Sequence, residues 1–177
     1  MTSKPFAVLF VCTANICRSA YAEVRAKALL SAGSRITIAS AGTHGHTGEG
    51  IDAEMGLRAR ERGIDASSFV ARRVDAALVE AADLILTADS GHRRFLLEEW
   101  PWTFRKAFTL GQFADGVSIA PKRLRPDALV DHIREARPAA NPANDIADPY
   151  RRGPEAAHAA AEQIDRYLHL VLPRLGP

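Results

Sequence analysis

Residues Phe6 to Val11 form an unbroken apolar run, followed at once by a polar loop, Cys12 to Ser19, and then by a segment of helical periodicity. A strand apolar on both faces belongs in the middle of a parallel sheet covered on both sides, whereas a half-exposed strand would alternate. After Arg18, the residues Ala20, Val24 and Ala28, with Tyr21 and Leu29 beside them, make one helical face and leave Glu23, Arg25 and Lys27 for solvent. Ile36-Thr37-Ile38-Ala39 reads as a second strand, closed by the turn-like Ser40-Ala41-Gly42-Thr43. Helical patterns follow at 52–62 and 74–80, then a third strand at 84–86, a helix at 91–99 and a fourth strand at 106–110. A last helix runs from Pro154 to Leu172, with Ala157, Ala161, Ile164, Leu168 and Val171 on its buried side. Pro154 suits a first turn, where its missing N–H would be unpaired anyway. Strands alternating with helices predict an α/β fold, a three-layer α/β/α sandwich around a four-stranded parallel sheet. Right-handed crossovers then put the first strand in the centre and its loop at the carboxyl edge, where such folds bind ligands. The expectation is a single domain, residues 1–177, with an insertion packed on it at 111–147, a stretch of several prolines and a short helical pattern (Leu129, Val130, Ile133, Ala136).

Composition narrows the class. A formal net charge of +2 is too small to argue for nucleic acid or a membrane surface as partner. The two cysteines, Cys12 and Cys17, are too few and too close together for a secreted disulfide scaffold. The run at 6–11 is too short for a signal-peptide core, and no stretch reaches the length of a membrane-spanning helix. A cytoplasmic protein with reduced thiols is expected.

The loop carries the chemistry. Between a strand and a helix, successive backbone N–H groups turn into one concavity and the helix N-terminus adds positive potential, so an anion is favoured there. Five residues separate Cys12 from Arg18, enough to wrap a phosphate. The planar Arg18 fork then grips two equatorial oxygens while the Cys12 sulfur lies in line with phosphorus. The same field favours the thiolate, the form of cysteine that attacks, and Ser19 is placed to donate a hydrogen bond to it. A lone cysteine is ordinarily a small buried hydrophobe, but that account leaves Asn15, Ser19 and the strand–loop–helix setting to coincidence.

Cys12-Thr13-Ala14-Asn15-Ile16-Cys17-Arg18-Ser19 resembles the signature loop of the low-molecular-weight protein tyrosine phosphatases. Ser40–Thr43 after the second strand, Asp89 after the third and Asp148-Pro149-Tyr150 before the last helix match in the same order, so the resemblance covers the chain apart from the insertion. It implies hydrolysis of phosphotyrosine without a cofactor or metal. By it, Cys12 attacks phosphorus to form a phosphocysteine intermediate, Arg18 stabilises the transition state, and Asp148 protonates the leaving phenolate and then activates water. Thr13, Ala14, Asn15, Ile16, Cys17 and Ser19 would bind the substrate's phosphate, and Asn15 would hold the loop through hydrogen bonds to Ser19 and Ser40. Tyr150 would wall the pocket and stack on the substrate ring. Cys17 resembles a second loop cysteine that forms a disulfide with the nucleophile under oxidation and protects it. The implied partner is a phosphotyrosine-containing protein, a tyrosine kinase among the candidates, met by a monomer or weak dimer. Without the resemblance, Asp148-Pro149 reads as a plain turn before a helix and Cys17 as a structural thiol.

Four positions depart from the family's usual residues. Ala14 stands where glycine is usual, at a cost of about 1–2 kcal/mol if that residue needs positive φ. Ala20 stands where a proline commonly follows the loop serine. His44-Gly45-His46 falls where the pocket rim often carries tryptophan, and Phe69 where a histidine often supports the loop. His44 and His46 lack a nearby third ligand and read as a solvated loop rather than a metal site. Arg151 and Arg152 read as a solvated pair beside the acid. Arsenate reductase is a rival, since it shares this loop; the thioredoxin-coupled kind needs two further cysteines that the chain lacks, which leaves a version using an external thiol. Protein-arginine phosphatase is another. Members of that branch tend to carry threonine where this chain has Ile16, and a bulky apolar residue packs better against a phenyl ring. A silent phosphotyrosine-binding module would have no use for Asp148.

Overall fold

The computed structural model describes residues 4–136, 138–139 and 141–176. Among these, β1 (Phe6–Cys12), β2 (Ile36–Gly42), β3 (Leu84–Thr87) and β4 (Ala107–Thr109) form one parallel sheet in the order β2-β1-β3-β4. Phe6 pairs with Ile36 and Cys12 with Gly42 on one side of β1, and Val8 pairs with Leu84 on the other. The first strand is therefore central, as its apolar run requires. The helices are α1 (Arg18–Leu29), α2 (Ala53–Glu61), α3 (Ala76–Ala81), α4 (Ser90–Glu99), α5 (Leu110–Ile119), α6 (Pro126–Ala136) and α7 (Gly153–Leu175), with 3-10 turns at Pro101–Arg105 and Pro142–Asn144.

Alternation along β1 feeds two cores. Val8 and Phe10 enter the larger one with Tyr21, Met55, Phe113 and Ile164, while Leu9 and Val11 meet Val79, Ile85 and Leu96 on the opposite face. This is the three-layer α/β/α sandwich the pattern predicts. The larger core contains a polar knot: Asp165 on α7 accepts from the Tyr21 hydroxyl at 3.0 Å and Arg25 Nε at 3.1 Å, both on α1, and from Arg62 just after α2.

Several elements differ from the sequence reading. On α1 the buried face runs through Ala22 and Ala26, and Ala28 is exposed. Glu23 and Arg25 are not left to solvent; each reaches a partner on another element. Ser40-Ala41-Gly42 continues β2 as strand, because Val11 and Cys12 supply it with a partner. Leu110 opens α5 rather than closing β4: Thr109 Oγ1 accepts from Gln112 N at 3.1 Å and so caps a helix there. Gly116 in that helix has a packing reason, since a Cβ on it would lie 2.7 Å from Ile133 of α6. Of the pattern expected at 129–136, Leu129, Val130 and Ile133 are buried and Ala136 is exposed. Arg137 and Ala140 of the expected insertion, and residues 1–3 and 177 of the expected domain, lie outside the described residues.

Candidate active site

The loop between β1 and α1 is framed by its own carbonyls. Those of Cys12, Thr13 and Ala14 accept from the backbone N–H of Thr43, His44 and His46, each at 2.9 Å, and that of Ile16 accepts from Asp52 N at 2.8 Å. In a trans peptide the N–H points opposite to the C=O. With these four carbonyls drawn outward, the N–H groups of residues 13, 14, 15 and 17 are turned into the hollow. The first turn of α1 adds more donors: no side chain caps it and it carries no acidic residue. Such a concavity receives an oxyanion.

Asn15 fixes the loop's shape. It holds φ at +59°, a left-handed conformation that asparagine tolerates better than most residues. Its amide Nδ2 donates to Ser19 Oγ at 2.9 Å and Ser40 Oγ at 2.8 Å, while its Oδ1 accepts from Arg72 N at 2.9 Å. Ser40 in turn donates to Glu23 Oε2 at 2.5 Å. Among the described non-glycine residues, only Asn15 and Arg151 have positive φ, so Ala14 does not carry the strain considered for it. Gly42 lies against the loop so closely that a Cβ there would sit 2.3 Å from Thr13 O and 2.9 Å from Ala14 C and Asn15 N. Phe69 is buried in the larger core, and Arg72 provides loop support nearby, donating from N to Asn15 and from Nε to Ser40 O.

Cys12 is 2 % exposed, and its Sγ lies 2.9 Å from Ser19 Oγ. Arg18, at the end of the loop, is 4 % exposed, so its charge needs partners. Its Nη1 donates to Asp89 Oδ2 and to Ile146 O, both at 3.0 Å, and its Nη2 lies 3.3 Å from Asp148 Oδ2. Its buried Nε has no partner among the described residues. Asp148 is thus brought beside the loop across more than a hundred residues of sequence. Its segment is tied down by Ile146 N on Ala88 O and by Asp145 Oδ2, which accepts from Ser90 N and Oγ. Asp148 Oδ1 accepts from Tyr150 N at 3.2 Å, and the Tyr150 ring, half-exposed, carries the Arg151 guanidinium 5.1 Å above its centre.

Sequence reasoning missed three residues of this network. The helical pattern leaves Glu23 to solvent, and Asp52 figures there only as the start of the helical segment at 52–62. His92 is the third: its Nε2 lies 2.8 Å from Thr13 Oγ1 and its Nδ1 2.8 Å from Asp89 Oδ1. Burial pushes the Asp89 carboxyl up, but hydrogen bonds from the side chain and backbone of His92, with the positive charges of His92 and Arg18, outweigh it and hold the group well below the usual carboxylate range. Burial, followed by the negative charges of Asp52, Cys12 and Asp148, pushes the Cys17 thiol up. Ile16, expected to meet a substrate ring, is 4 % exposed and packs into the core beneath the loop. At the rim, His44 stacks at 5.7 Å on Phe95, and His46 Nδ1 lies 3.3 Å from Glu49 Oε2.

Comparison with known proteins agrees with this geometry. Residues 7–124 match the model of the family described as low molecular weight phosphotyrosine protein phosphatase. The low molecular weight protein-tyrosine-phosphatase Ptp of Acinetobacter johnsonii is 36 % identical over 106 residues, covering 60 % of this chain and 72 % of that one. A low molecular weight protein-tyrosine-phosphatase of Streptomyces coelicolor is 30 % identical over 167 residues, 90 % of this chain and 87 % of its own. The solved structure of the YwlE arginine phosphatase from Geobacillus stearothermophilus superposes with a TM-score of 0.78 at 25 % identity, covering 97 % of this chain and 93 % of that one. A loop of outward carbonyls closed by a cysteine and a buried arginine, with this sequence match and this fold, makes the chain a member of the low molecular weight phosphotyrosine protein phosphatase family.

Proposed function

We propose that the protein hydrolyses phosphotyrosine in proteins through a phosphocysteine intermediate. The observation that carries this reading is the convergence of Cys12, Arg18 and Asp148 on one hollow lined by inward N–H groups. Arg18 Nη1 is occupied by Asp89 and Ile146 O, so the edge offered to two phosphoryl oxygens is that of Nε, which has no partner among the described residues, and Nη2, which faces only Asp148 Oδ2 at 3.3 Å. Cys12 attacks phosphorus as the bond to the leaving oxygen breaks, and Asp148 gives that oxygen its proton. Water then attacks the phosphocysteine, Asp148 takes its proton, and phosphate leaves with the thiolate restored. The Ser19 hydroxyl, at 2.9 Å, stabilises the sulfur as charge returns to it.

Relatives named for tyrosine and for arginine phosphatase activity both align along the chain. The Tyr150–Arg151 stack favours the aromatic ester. A cation already sits on one face of the Tyr150 ring, so the ring welcomes a second cation, such as a phosphorylated guanidinium, less than a neutral phenyl ring. Ile16 adds little to this choice because it is buried. Burial raises the Cys17 thiol and makes it a slow partner for an oxidised Cys12, which argues against protection by a disulfide. We read residues 1–177 as one domain that includes 111–147, and the protein as cytoplasmic from its cysteine usage.

The test is a parallel assay of phosphotyrosine, phosphoarginine and phosphoserine peptides. Phosphotyrosine should be cleaved fastest, Cys12→Ser should abolish turnover, and Asp148→Ala should slow poor leaving groups more than p-nitrophenyl phosphate. Faster cleavage of phosphoarginine would overturn the substrate, and turnover by Cys12→Ser the mechanism.

A further inference from the structure

One set of bonds at the site has no part in the chemistry above. His92, in the first turn of α4, is 7 % exposed and joins two groups that belong to opposite ends of the loop. On one side its Nε2 lies 2.8 Å from Oγ1 of Thr13, the residue after the nucleophile. On the other, Nδ1 approaches Asp89 Oδ1 to 2.8 Å in a charge contact that lacks hydrogen-bond alignment, while the same oxygen accepts from the His92 backbone N at 2.9 Å. Two contacts from one residue fix that carboxylate, and its other oxygen takes Arg18 Nη1 at 3.0 Å. The path Thr13–His92–Asp89–Arg18 therefore crosses the outside of the loop from its first residue to its last.

We infer that His92 is a positioning residue that sets the aperture of the oxyanion loop by tying Thr13 to Arg18 through Asp89. An imidazole suits this task because its rigid ring carries Nε2 out to the Thr13 hydroxyl while the same residue's backbone N–H and the near edge of the ring stay on the Asp89 carboxylate. Elsewhere the loop is held by backbone bonds to residues 43–46 and 52 and by Asn15, none of which reaches Arg18. The His92 path is a side-chain connection from the guanidinium fork to the first N–H groups of the hollow, beside the backbone bond of Ala88 N to Val11 O that seats Asp89 against β1. Opening it leaves every group present but removes the tie that holds the Thr13 side chain at a fixed distance from the Asp89–Arg18 pair. A site complementary to a trigonal bipyramid loses rate from a small misplacement of this kind.

The inference rests on the phosphatase reading, and the experiment separates the two. His92→Asn keeps a polar group near Asp89 and loses the reach to Thr13; Thr13→Val breaks the same link from an exposed position, where folding is not at stake. Each variant should lower kcat/KM for p-nitrophenyl phosphate about 10-fold, the worth of one hydrogen bond to a preorganised site, and raise the inhibition constant of inorganic phosphate by a similar factor. The double variant should be no worse than the poorer single, because both cut one path. Additive losses, or a His92→Asn protein with unchanged kcat/KM and phosphate inhibition, would overturn the role of His92. A wild-type protein that neither turns over the substrate nor is inhibited by phosphate would overturn the phosphatase reading itself.

Discussion

Replacing Gly42 with alanine should damage catalysis far more than stability. The new Cβ would lie 2.3 Å from Thr13 O, against the 3.4 Å at which ordinary contact begins, and its next neighbours at 2.9 Å are also loop backbone. No flexible side chain is available to yield, so β2 and the loop must separate by about 1 Å to restore normal contact. Overpacking of this kind costs about 1–3 kcal/mol. A protein with the usual ~5–15 kcal/mol of stability remains folded at 25 °C, with the melting temperature lower by about 2–4 °C per kcal/mol. The same displacement moves Thr13, Ala14 and Asn15 relative to the sulfur of Cys12, and a misplacement of about 1 Å costs on the order of 100-fold in rate. Steady-state kinetics with p-nitrophenyl phosphate and a calorimetric melt on the same sample read both quantities. A Gly42→Ala protein with wild-type kcat/KM would show that the β2 terminus does not set the loop's shape.

Asp165→Ala should be the more damaging change for stability. It leaves Arg25 without its carboxylate and Tyr21 without its acceptor, while Arg62 retains Glu162, so a loss near the lower end of the ~3–5 kcal/mol for breaking a buried pair is expected; denaturant titration checks it, and a loss below the measurement error would refute the knot's importance. Cys17 should resist iodoacetamide at pH 8 in the native protein and react only on unfolding, so mass mapping should find native label on Cys12 alone; equal labelling of both would contradict the raised Cys17 thiol. Asp89 has a folded pKa depressed below its unfolded value, so its stabilising contribution is complete above about pH 4 and is lost as pH falls through the folded value. The stability gap between wild type and Asp89→Asn should therefore shrink below pH 4, and a gap that widens there would reverse the sign of the argument.

The sandwich was legible because its evidence is local. An apolar run on β1 and a long 3.6-residue stripe on α7 each sit within one stretch of chain. The loop was legible for the same reason, since its nucleophile and arginine share one short segment. What escaped depends on distant pairing. Glu23 looked solvent-exposed because its acceptor role is to Ser40, on a strand whose approach no helical pattern records. His92 and Thr13 are 79 positions apart. Helix α5 escaped because Gly116, needed for the approach of Ile133, lowers the helical signal that would have announced it. Ile16 failed in the other direction: an apolar side chain in a binding loop was read as substrate contact, and the fold uses it as core.

The rim segment holds the loop with the backbone N–H groups of Thr43, His44 and His46, not with their side chains. Any residue other than proline supplies that donor. Side chains at positions 44 and 46 are thereby uncoupled from the frame of the loop, so a change of side chain there need not disturb the inward N–H groups. Substitutions at 44 and 46 should therefore leave the chemical step constant, which makes these the positions at which side chains can be varied at least cost to the loop.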